Sequence, residues 1–329
     1  MHRVAIIGAT GYAGQELVRL LARHPAAELA LATGSQATST PRRLPALARI
    51  WDGDVRPLDL TEVSKQADVA FLALPEAASA EVAPTLLAAG LRVVDLSGAF
   101  RLRDEQARSK WYPATPAMPA GVAYGLTEFE RAAIGNARLV SNPGCYPTAA
   151  LLALLPLAKA GLIAPSGDVV IDAKSGLSGA GKAPTDRTHF SENHGSMAAY
   201  GAFGHRHAPE MEQALGRTVT FVPHLVPLDR GLLSSCYVRL VAGTTSAQVA
   251  HAFEQTYESA PFVRLRGSEL PEIKHVVWSN FCDIGWNVDE TNQRALVVSV
   301  IDNLVKGAAG SAVQNFNVMC GIDECAGLR

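Results

Sequence analysis

The stretch that decides the fold lies near the start of the sequence and reads Val4-Ala5-Ile6-Ile7-Gly8-Ala9-Thr10-Gly11-Tyr12-Ala13-Gly14. Its initial apolar run predicts a strand, and residues 15–23 predict an amphipathic helix because leucines recur there at helical spacing. A strand, a glycine turn and a helix in this order are typical of a loop that binds a dinucleotide pyrophosphate, here with the spacing G-x-x-G-x-x-G. The alternative is a plain turn between a strand and a helix. The candidate cofactor contacts are Gly8, Thr10, Gly11, Tyr12 and Gly14.

The second predicted strand, residues 29–33, indicates which dinucleotide is bound. An enzyme that uses NAD usually has an acidic residue at the end of this strand, where it holds the ribose 2′-hydroxyl. Here residues 34–39 contain hydroxyl side chains and no acid, and Arg42 and Arg43 follow. We therefore predict NADP(H) as the cofactor, with Ser35 and Arg42 as candidate contacts to the 2′-phosphate. A solvated pair of loop charges explains the two arginines equally well.

Strands and helices alternate along the first part of the chain, with further apolar strands at residues 69–74 and 91–96. This alternation predicts an α/β fold with an N-terminal Rossmann-type parallel sheet that is covered by helices on both faces. Beyond residue 169 the strands are longer and the helices fewer. That change predicts a second, α+β domain with a largely antiparallel sheet.

A last helix, at residues 311–318, is expected to pack back on the first domain. We therefore assign residues 1–144 and 303–329 to an NADP-binding domain. Residues 145–302 are assigned to a catalytic, substrate-binding and oligomerisation domain. Within the first domain, the run Thr-Glu-Phe-Glu at residues 127–130 predicts a capping box at the start of a short helix.

The composition indicates which partners, which redox environment and which metal sites are to be expected. The chain has 329 residues and a net charge of −2, so nothing suggests nucleic acid or a membrane as a partner. Its five cysteines are an odd number and contain no C-x-x-C pair, which favours a reduced, cytoplasmic protein with free thiols. Cys320 and Cys325 have no histidine or further cysteine close by in sequence, so no metal site is expected.

Residues 141–148, Ser-Asn-Pro-Gly-Cys-Tyr-Pro-Thr, are the best candidate for the chemistry. A strand-like run leads into them, and a long apolar segment that predicts a helix follows. The Pro-Gly turn therefore brings Cys145 to the helix N-terminus, where unpaired N–H groups and partial positive charge favour a thiolate. The alternative is a buried structural cysteine, which is the commoner role of a single thiol.

A second candidate cluster consists of His205, Arg206, His207 and Glu210. A thiolate nucleophile needs a group that handles protons, and histidine is suited to this. We predict that residues 205–207 are extended, because Pro209 disfavours helix in the residue before it. Both imidazoles then point the same way, and Glu210 is placed to orient one of them.

The glycine- and serine-rich run at residues 174–182 is either a flexible linker or a loop that passes close to a ligand. A dinucleotide loop, a poised cysteine and a His/Arg/Glu cluster together suggest one chemistry. The cysteine attacks an acyl group to give a thioester, and hydride from NADPH reduces that thioester to an aldehyde. An arginine would hold an anionic group of the substrate through two hydrogen bonds.

Six blocks of this sequence resemble the N-acetyl-gamma-glutamyl-phosphate reductases, the arginine-biosynthesis branch of the semialdehyde dehydrogenase superfamily. They span almost the whole chain in the expected order, at residues 8–14, 95–101, 143–148, 175–181, 205–210 and 303–309. The resemblance implies reduction of N-acetyl-glutamyl 5-phosphate by NADPH to the 5-semialdehyde, with release of phosphate. It also implies a homo-oligomer, either a dimer or a tetramer.

The resemblance further implies roles for particular residues. Cys145 is the nucleophile, and His207 protonates the developing alkoxide, with His205 as the second choice. Arg101 is a substrate-site residue that forms a supporting ion pair with Glu210, and Arg206 contacts a substrate anion. The residues implied near the nicotinamide are Gly179, Gly181 and Asn317.

Two other functions remain open from sequence alone. A sister reductase of lysine biosynthesis, which acts on an aminoadipyl or glutamyl phosphate carried on a protein, would share every block. A non-catalytic NADP-binding sensor would have an inert Cys145. Aspartate-semialdehyde dehydrogenase fits less well, because the His-Arg-His block at residues 205–207 is not its pattern.

Overall fold

The computed structural model describes residues 1–34, 40–115 and 117–329. The strands among these residues are β1 (His2–Ile7), β2 (Ala27–Thr33), β3 (Val55–Arg56), β4 (Val69–Leu72), β5 (Arg92–Asp95), β6 (Val122–Tyr124), β7 (Leu139–Ser141), β8 (Val170–Gly176), β9 (Ala198–Ala199), β10 (Thr220–Val226), β11 (Leu232–Arg239), β12 (Val263–Gly267), β13 (Cys282–Asp289) and β14 (Arg294–Ile301).

The helices in the same residues are α1 (Tyr12–Leu21), α2 (Leu60–Gln66), α3 (Glu76–Ala88), α4 (Glu105–Trp111), α5 (Thr127–Asn136), α6 (Cys145–Lys159), α7 (Phe190–Asn193), α8 (Ala208–Leu215), α9 (Ser246–Tyr257) and α10 (Gly310–Met319). The chain divides into two compact units. One contains Met1–Gly144 and Ala308–Arg329, and the other contains Cys145–Gly307. The division predicted from sequence placed its last boundary after residue 302.

The first unit is built on a parallel sheet with the strand order β3-β2-β1-β4-β5-β7-β6. The order reverses direction beside β1, as in a Rossmann fold, so the predicted parallel Rossmann-type sheet is confirmed. Both faces of β1 are buried because alternate residues point to opposite sides. Val4 and Ile6 pack into one core with α1 and α10, while Ala5 and Ile7 pack into another with α2 and α3.

The second unit has a mixed sheet with the order β12-β13-β14-β11-β8-β10-β9. Four of its six strand pairings are antiparallel, which confirms the predicted largely antiparallel sheet. Helix α6 lies against β11, β14, α8 and α9. Nearly every side chain of α6 is buried, and the Ser299 hydroxyl of β14 donates a 2.7 Å hydrogen bond to the Ala149 carbonyl. This packing fixes the direction in which the first residue of α6, Cys145, is presented.

Two strands that lie at one edge of the second sheet, β12 and β13, were not predicted. Strand β13 contains Asp283 and Gly285, which interrupt the apolar pattern of a strand. Asp283 is buried because Arg264 of β12 forms an ion pair with it, with an N–O distance of 2.6 Å. Gly285 is required because a Cβ atom there would lie 2.2 Å from the Glu269 carbonyl oxygen. Tertiary contacts therefore override the local pattern in both strands.

The capping box predicted at residues 127–130 is wrong. The N-cap of α5 is Leu126, and no side chain caps the helix there. Thr127 is instead the first helical residue, and its hydroxyl donates to the Asn315 side-chain oxygen across 2.7 Å. A buried partner from α10 has replaced the local partner that the sequence pattern suggested.

Candidate active site

The glycine turn after β1 is tightly packed at two positions. Gly8 has a φ of +94°, and a Cβ atom there would lie 2.3 Å from the Ala73 carbonyl oxygen. A Cβ atom on Gly14 would lie 2.2 Å from the Gly8 carbonyl oxygen. These two glycines are therefore needed to fold the turn that leads into α1, whatever the turn binds.

Gly11 is different, because nothing in the fold requires a glycine there. It is the N-cap of α1, with an ordinary φ of −74°. The nearest atom to a Cβ on Gly11 is the Gly8 oxygen, at an ordinary 3.7 Å. The missing side chain leaves the space in front of the helix N-terminus open, where N–H groups attract a phosphate. This cradle fits the pyrophosphate of a dinucleotide.

We expect Gly11→Ala to weaken binding of the dinucleotide by roughly tenfold or more, because the new methyl group would occupy the pyrophosphate's place. Stability should change little, since φ and the surrounding space accept alanine. Titration of NADPH fluorescence, with thermal unfolding alongside, measures both effects. The matched control is Gly135→Ala, where a Cβ atom also meets open space. Equal NADPH affinity in both variants would contradict the assignment of Gly11.

The other predicted cofactor contacts are placed less decisively. Tyr12 is exposed at the first turn of α1, and the Thr10 carbonyl accepts a hydrogen bond from the Gln15 side chain. Arg42 is exposed, whereas the Arg43 guanidinium lies 2.8 Å from Asp54. Contact of Tyr12, Thr10 and Arg42 with a cofactor stays a prediction. The predicted contact Ser35 lies outside the described residues.

The end of β7 is held by a buried network in the first unit that sequence reasoning missed. The side-chain nitrogen of Asn142 donates to the Ser311 hydroxyl across 3.0 Å, and its oxygen accepts from the Asn315 amide across 2.9 Å. The Arg101 guanidinium donates to the main-chain oxygens of Asn142 and Leu96. These bonds fix the loop three residues before Cys145. No local sequence signal identifies the network, because its members lie far apart in the chain.

Cys145 is the first residue of α6, a 15-residue helix, and it is partly exposed. The unpaired N–H groups and the dipole of a helix N-terminus stabilise a thiolate there. Gly307 lies against it, since a Cβ atom on Gly307 would be 2.8 Å from the Cys145 Cβ. By contrast, Cys236 is fully buried, and burial raises its pKa to about 12. Cys320 and Cys325 are also partly exposed, so the position at a helix N-terminus is what distinguishes Cys145. Its role as the reactive thiol stays a prediction.

The side chain after Cys145 anchors an aromatic cluster in the second unit. The Tyr146 ring meets the His205 ring edge-on at 5.8 Å and the His207 ring at 5.9 Å between centroids. The Tyr146 hydroxyl donates to the His224 carbonyl oxygen across 3.0 Å and lies 3.3 Å from the Tyr200 hydroxyl. Burial raises the pKa of Tyr146, so its phenol stays protonated. Tyr146 thus ties the start of α6 to both histidines.

The prediction that residues 205–207 are extended is wrong. His207 has helical backbone angles and is the N-cap of α8, which starts at Ala208. Pro209 sits in the first turn of that helix, where no N–H partner is needed. The two imidazoles nevertheless lie 4.7 Å apart, because the His207 N–H donates to the His205 Nδ1 across 3.0 Å. A turn, and not a strand, therefore brings the two rings together.

The two histidines differ in their electrostatic surroundings. Burial, aided by the nearby Arg206 charge, lowers the pKa of His205 to about 4, so its ring is neutral at pH 7. Because its Nδ1 accepts a hydrogen bond, the ring proton of neutral His205 lies on Nε2. His207 and Glu210 are buried, while Arg206 is exposed. The ion pair predicted between Glu210 and Arg101 stays a prediction.

The glycine- and serine-rich run is better ordered than a linker. Strand β8 continues to Gly176, and Leu177–Ala180 forms a 3-10 turn. The Ser178 hydroxyl donates to the Asp229 carbonyl across 2.6 Å and accepts from the Asn303 side chain across 2.9 Å. Gly179 and Gly181 follow at an exposed tip, where Gly181 has a φ of +88°. The run is thus a braced loop, and its proximity to the nicotinamide stays a prediction.

The side chain of Asn317 takes part in a buried hydrogen-bond network. Its side chain is fully buried in the first unit, where its oxygen lies 3.0 Å from the His24 Nε2 atom. Its amide nitrogen donates to the carbonyl oxygens of Glu324 and Ala326. These bonds use the side chain to hold the last residues of the chain. Asn317 therefore has a structural role, and its predicted contact with the nicotinamide stays a prediction.

Among the described residues, no cluster of three or more histidine, cysteine, aspartate or glutamate side chains is arranged to hold a metal ion. Within those same ranges, each helix is too short or too polar to cross a membrane.

Family comparisons cover most of the chain. Residues 3–137 match the semialdehyde dehydrogenase NAD binding domain, and residues 145–303 match the semialdehyde dehydrogenase dimerisation domain. The first match contains the glycine turn and the second begins at Cys145. The chain therefore has the NAD-binding domain of this superfamily.

Similar proteins share nearly the full length. A curated N-acetyl-gamma-glutamyl-phosphate reductase from Shouchella clausii (strain KSM-K16) is 47% identical, over 99% of this chain and 98% of the relative. The reductase of the same name from Syntrophobacter fumaroxidans (strain DSM 10017 / MPOB) is 44% identical, over 100% of this chain and 98% of the relative. The reductase of the same name from Bacillus cereus (strain AH187) is 43% identical, over 99% of this chain and 98% of the relative.

Solved structures agree with the fold. Aspartate semialdehyde dehydrogenase II from Vibrio cholerae, complexed with ASA, has a TM-score of 0.75 at 20% identity and covers 98% of both chains. Aspartate semialdehyde dehydrogenase with NADP from Candida albicans has a TM-score of 0.70 at 14% identity, over 97% of this chain and 98% of the other. Structural similarity at this low sequence identity supports only the fold. The curated relatives, which are far more similar in sequence, identify the family within the superfamily. The chain belongs to the N-acetyl-gamma-glutamyl-phosphate reductase family of the semialdehyde dehydrogenases.

Proposed function

We propose that this chain reduces N-acetyl-glutamyl 5-phosphate to N-acetyl-glutamate 5-semialdehyde with NADPH and releases phosphate, as a step of arginine biosynthesis. The names of relatives that are 43–47% identical over nearly the whole chain support the reaction. The observation that carries the chemistry is Cys145, partly exposed at the N-terminus of α6, with two imidazoles grouped around the adjacent Tyr146.

Cys145 acts first. Its thiolate attacks the acyl carbon of the substrate, and the tetrahedral alkoxide collapses with loss of phosphate to leave a thioester on the sulfur. The N-terminus of α6 holds the sulfur in its anionic form before attack. A dinucleotide held by the glycine turn would supply the hydride that reduces the thioester. Cys145 then leaves as a thiolate from the resulting hemithioacetal, which releases the aldehyde.

The proton chemistry is assigned to His207. The hemithioacetal oxygen takes up negative charge during reduction, and a nearby acid lowers the cost of that charge. His205, with a pKa of about 4, carries no proton to give as an imidazolium at neutral pH. Its Nδ1 instead accepts from the His207 main chain and fixes the turn. We therefore propose His207 as the acid/base and His205 as a positioning residue.

Charged residues complete the assignment. Arg206 is exposed and is proposed to contact an anionic group of the substrate. Glu210 is buried in the first turn of α8, directly after the histidine turn, and is proposed to support it. Arg101 is proposed to act through the carbonyl of Asn142, which it holds at 2.9 Å, and in an ion pair with Glu210.

The cofactor is proposed to be NADP(H), with Gly8, Gly11 and Gly14 forming the pyrophosphate cradle. Arg42, exposed after β2, is the proposed contact to the 2′-phosphate. The dimerisation domain matched over residues 145–303 supports a homo-oligomer, and the reduced thiols suit the cytoplasm. The number of subunits follows from light scattering of the purified protein.

We expect the purified chain to run the reverse reaction. N-acetyl-glutamate 5-semialdehyde, phosphate and NADP should give NADPH, with roughly 10²-fold lower kcat/KM when NAD replaces NADP. The measurement is the absorbance of NADPH, with aspartate semialdehyde as the substrate control. The proposed substrate would be refuted if the chain oxidised aspartate semialdehyde but not N-acetyl-glutamate 5-semialdehyde. An inactive chain that still binds NADP would point to the carrier-linked sister reaction or to a sensor.

A further inference from the structure

Arg230 has surroundings that neither the motifs nor the mechanism explains. It lies in the turn between β10 and β11 and is only 11% exposed. Its guanidinium carbon lies 3.6 Å above the centre of the Trp278 ring. Its Nη1 atom lies 3.5 Å from a side-chain oxygen of Asp302, which is fully buried. A planar cation is thus held between an aromatic face and a carboxylate.

The backbone of Trp278 has an unfavourable conformation for a bulky residue. Its backbone φ is +67°, in the left-handed region that bulky residues rarely adopt, and 58% of its surface is exposed. The Asp302 carboxylate fixes it by accepting a 2.7 Å hydrogen bond from the Trp278 N–H. A strained backbone that presents an exposed indole costs stability, and such strain concentrates at ligand sites.

The same residue that orders Arg230 and Trp278 also lies behind the nucleophile. The main-chain oxygen of Asp302 accepts a 2.9 Å hydrogen bond from the Gly307 N–H, and Gly307 lies against Cys145. The turn that carries Arg230 is further tied to the loop before Gly179, because the Asp229 carbonyl accepts from the Ser178 hydroxyl. Asp302 therefore contacts both Arg230 and the segment that lies against Cys145.

The charge balance at Arg230 indicates what it binds. The buried carboxylate of Asp302 lies 3.5 Å from the guanidinium and offsets part of its charge, while Asp229, 3.9 Å away, is 78% exposed and contributes less. A guanidinium whose charge is partly offset suits a singly charged, planar anion better than a doubly charged phosphate. Arginine binds a carboxylate through two parallel hydrogen bonds, and stacking on an indole fixes the plane of its fork.

We propose, on the basis of the function proposed above, that Arg230 binds the α-carboxylate of the substrate and that Trp278 orients it. With the acyl carbon at Cys145, the α-carboxylate is the substrate's other anionic end. Arg230 is then a specificity-determining residue that selects a free α-carboxylate.

The test compares two aldehydes in the reverse assay, N-acetyl-glutamate 5-semialdehyde and its α-carboxamide. We expect Arg230→Met to lower kcat/KM for the acid by roughly 10²-fold. For the carboxamide, kcat/KM should change by less than about threefold, because the removed charge has no partner there. The KM values for NADP and for phosphate should stay as in the unaltered chain. The matched control is Arg266→Met, whose guanidinium forms a surface ion pair with Glu269.

The possible results distinguish a carboxylate contact of Arg230 from a structural role and from a contact with the phosphoryl group. Equal losses on both aldehydes would make Arg230 merely structural, and a raised KM for phosphate would assign it to the phosphoryl group; either result overturns the proposal. If the unaltered chain turns over neither aldehyde, the proposed function is wrong, and the inference falls with it.

If Arg230→Met fails to fold, the variant Trp278→Gly tests the proposal instead. It relieves the left-handed backbone, so it should fold at least as well, yet it should raise the KM for the acid alone by roughly threefold to tenfold.

Discussion

Cys145→Ser is expected to abolish turnover, by roughly 10⁴-fold or more, while binding of NADPH stays unchanged. A serine hydroxyl is not ionised near pH 7, so the N-terminus of α6 has no anion to stabilise, and the thioester cannot form. NADPH binding is expected to persist because the glycine cradle belongs to the other compact unit. The substitution removes one atom's chemistry and almost none of its volume, so the fold should be retained.

The measurement is the reverse assay with NADPH titration and thermal unfolding on the same preparation. The matched control is Cys325→Ser, a partly exposed thiol whose burial and acidic neighbours raise its pKa, and it should retain full activity. Iodoacetamide at neutral pH should label Cys145 ahead of the other four thiols. If Cys145→Ser keeps more than about a tenth of the activity, covalent catalysis is excluded.

His207→Asn is expected to lower kcat by roughly 10²–10⁴-fold, the usual contribution of a general acid/base. His205→Asn should cost less, because the neutral His205 ring acts by accepting the His207 N–H and by packing on Tyr146. The lowered pKa of His205, about 4, means that its protonation state does not change between pH 5 and 8. Any pH dependence of kcat in that range should therefore survive in His205→Asn.

The pH profile of kcat in the three proteins decides between the histidines. Both variants keep the main-chain atoms of the turn, so circular dichroism should show the same helix content in each. A larger loss in His205→Asn, together with loss of the titration, would reverse the two assignments. Equal small losses in both variants would mean that neither imidazole transfers the proton.

Much of the fold was predictable because it rests on local patterns. The alternation of apolar strands with helices predicted the parallel sheet of the first unit. The glycine turn predicted a helix after β1, although α1 begins at Tyr12 and the predicted helix began at residue 15. The start of α9, Ser246–Tyr257, is also encoded locally, because Thr245 and Gln248 form a capping box within one turn. In each case the sequence pattern that predicts the element is contained in a few neighbouring residues.

Other features were beyond local reasoning. Strand β13 contains an aspartate and a glycine that only Arg264 and the Glu269 carbonyl explain. Thr127 looked like a helix cap, yet it bonds to Asn315, a residue 188 positions away. The buried hydrogen bonds of Asn317 also join distant segments, since they link it to His24 and to the last residues of the chain.

The sequence by itself determined the class of protein, the glycine turn and the helix start at which the candidate nucleophile Cys145 lies, since helix starts and glycine turns are encoded by neighbouring residues. Only the tertiary structure decided how the histidines meet and which residues surround Arg230. Those arrangements depend on buried hydrogen bonds and packing between distant segments, such as the Asp302 carboxylate that joins Arg230 and Trp278. Such bonds gain their strength only once water is excluded, and that exclusion is a property of the folded chain.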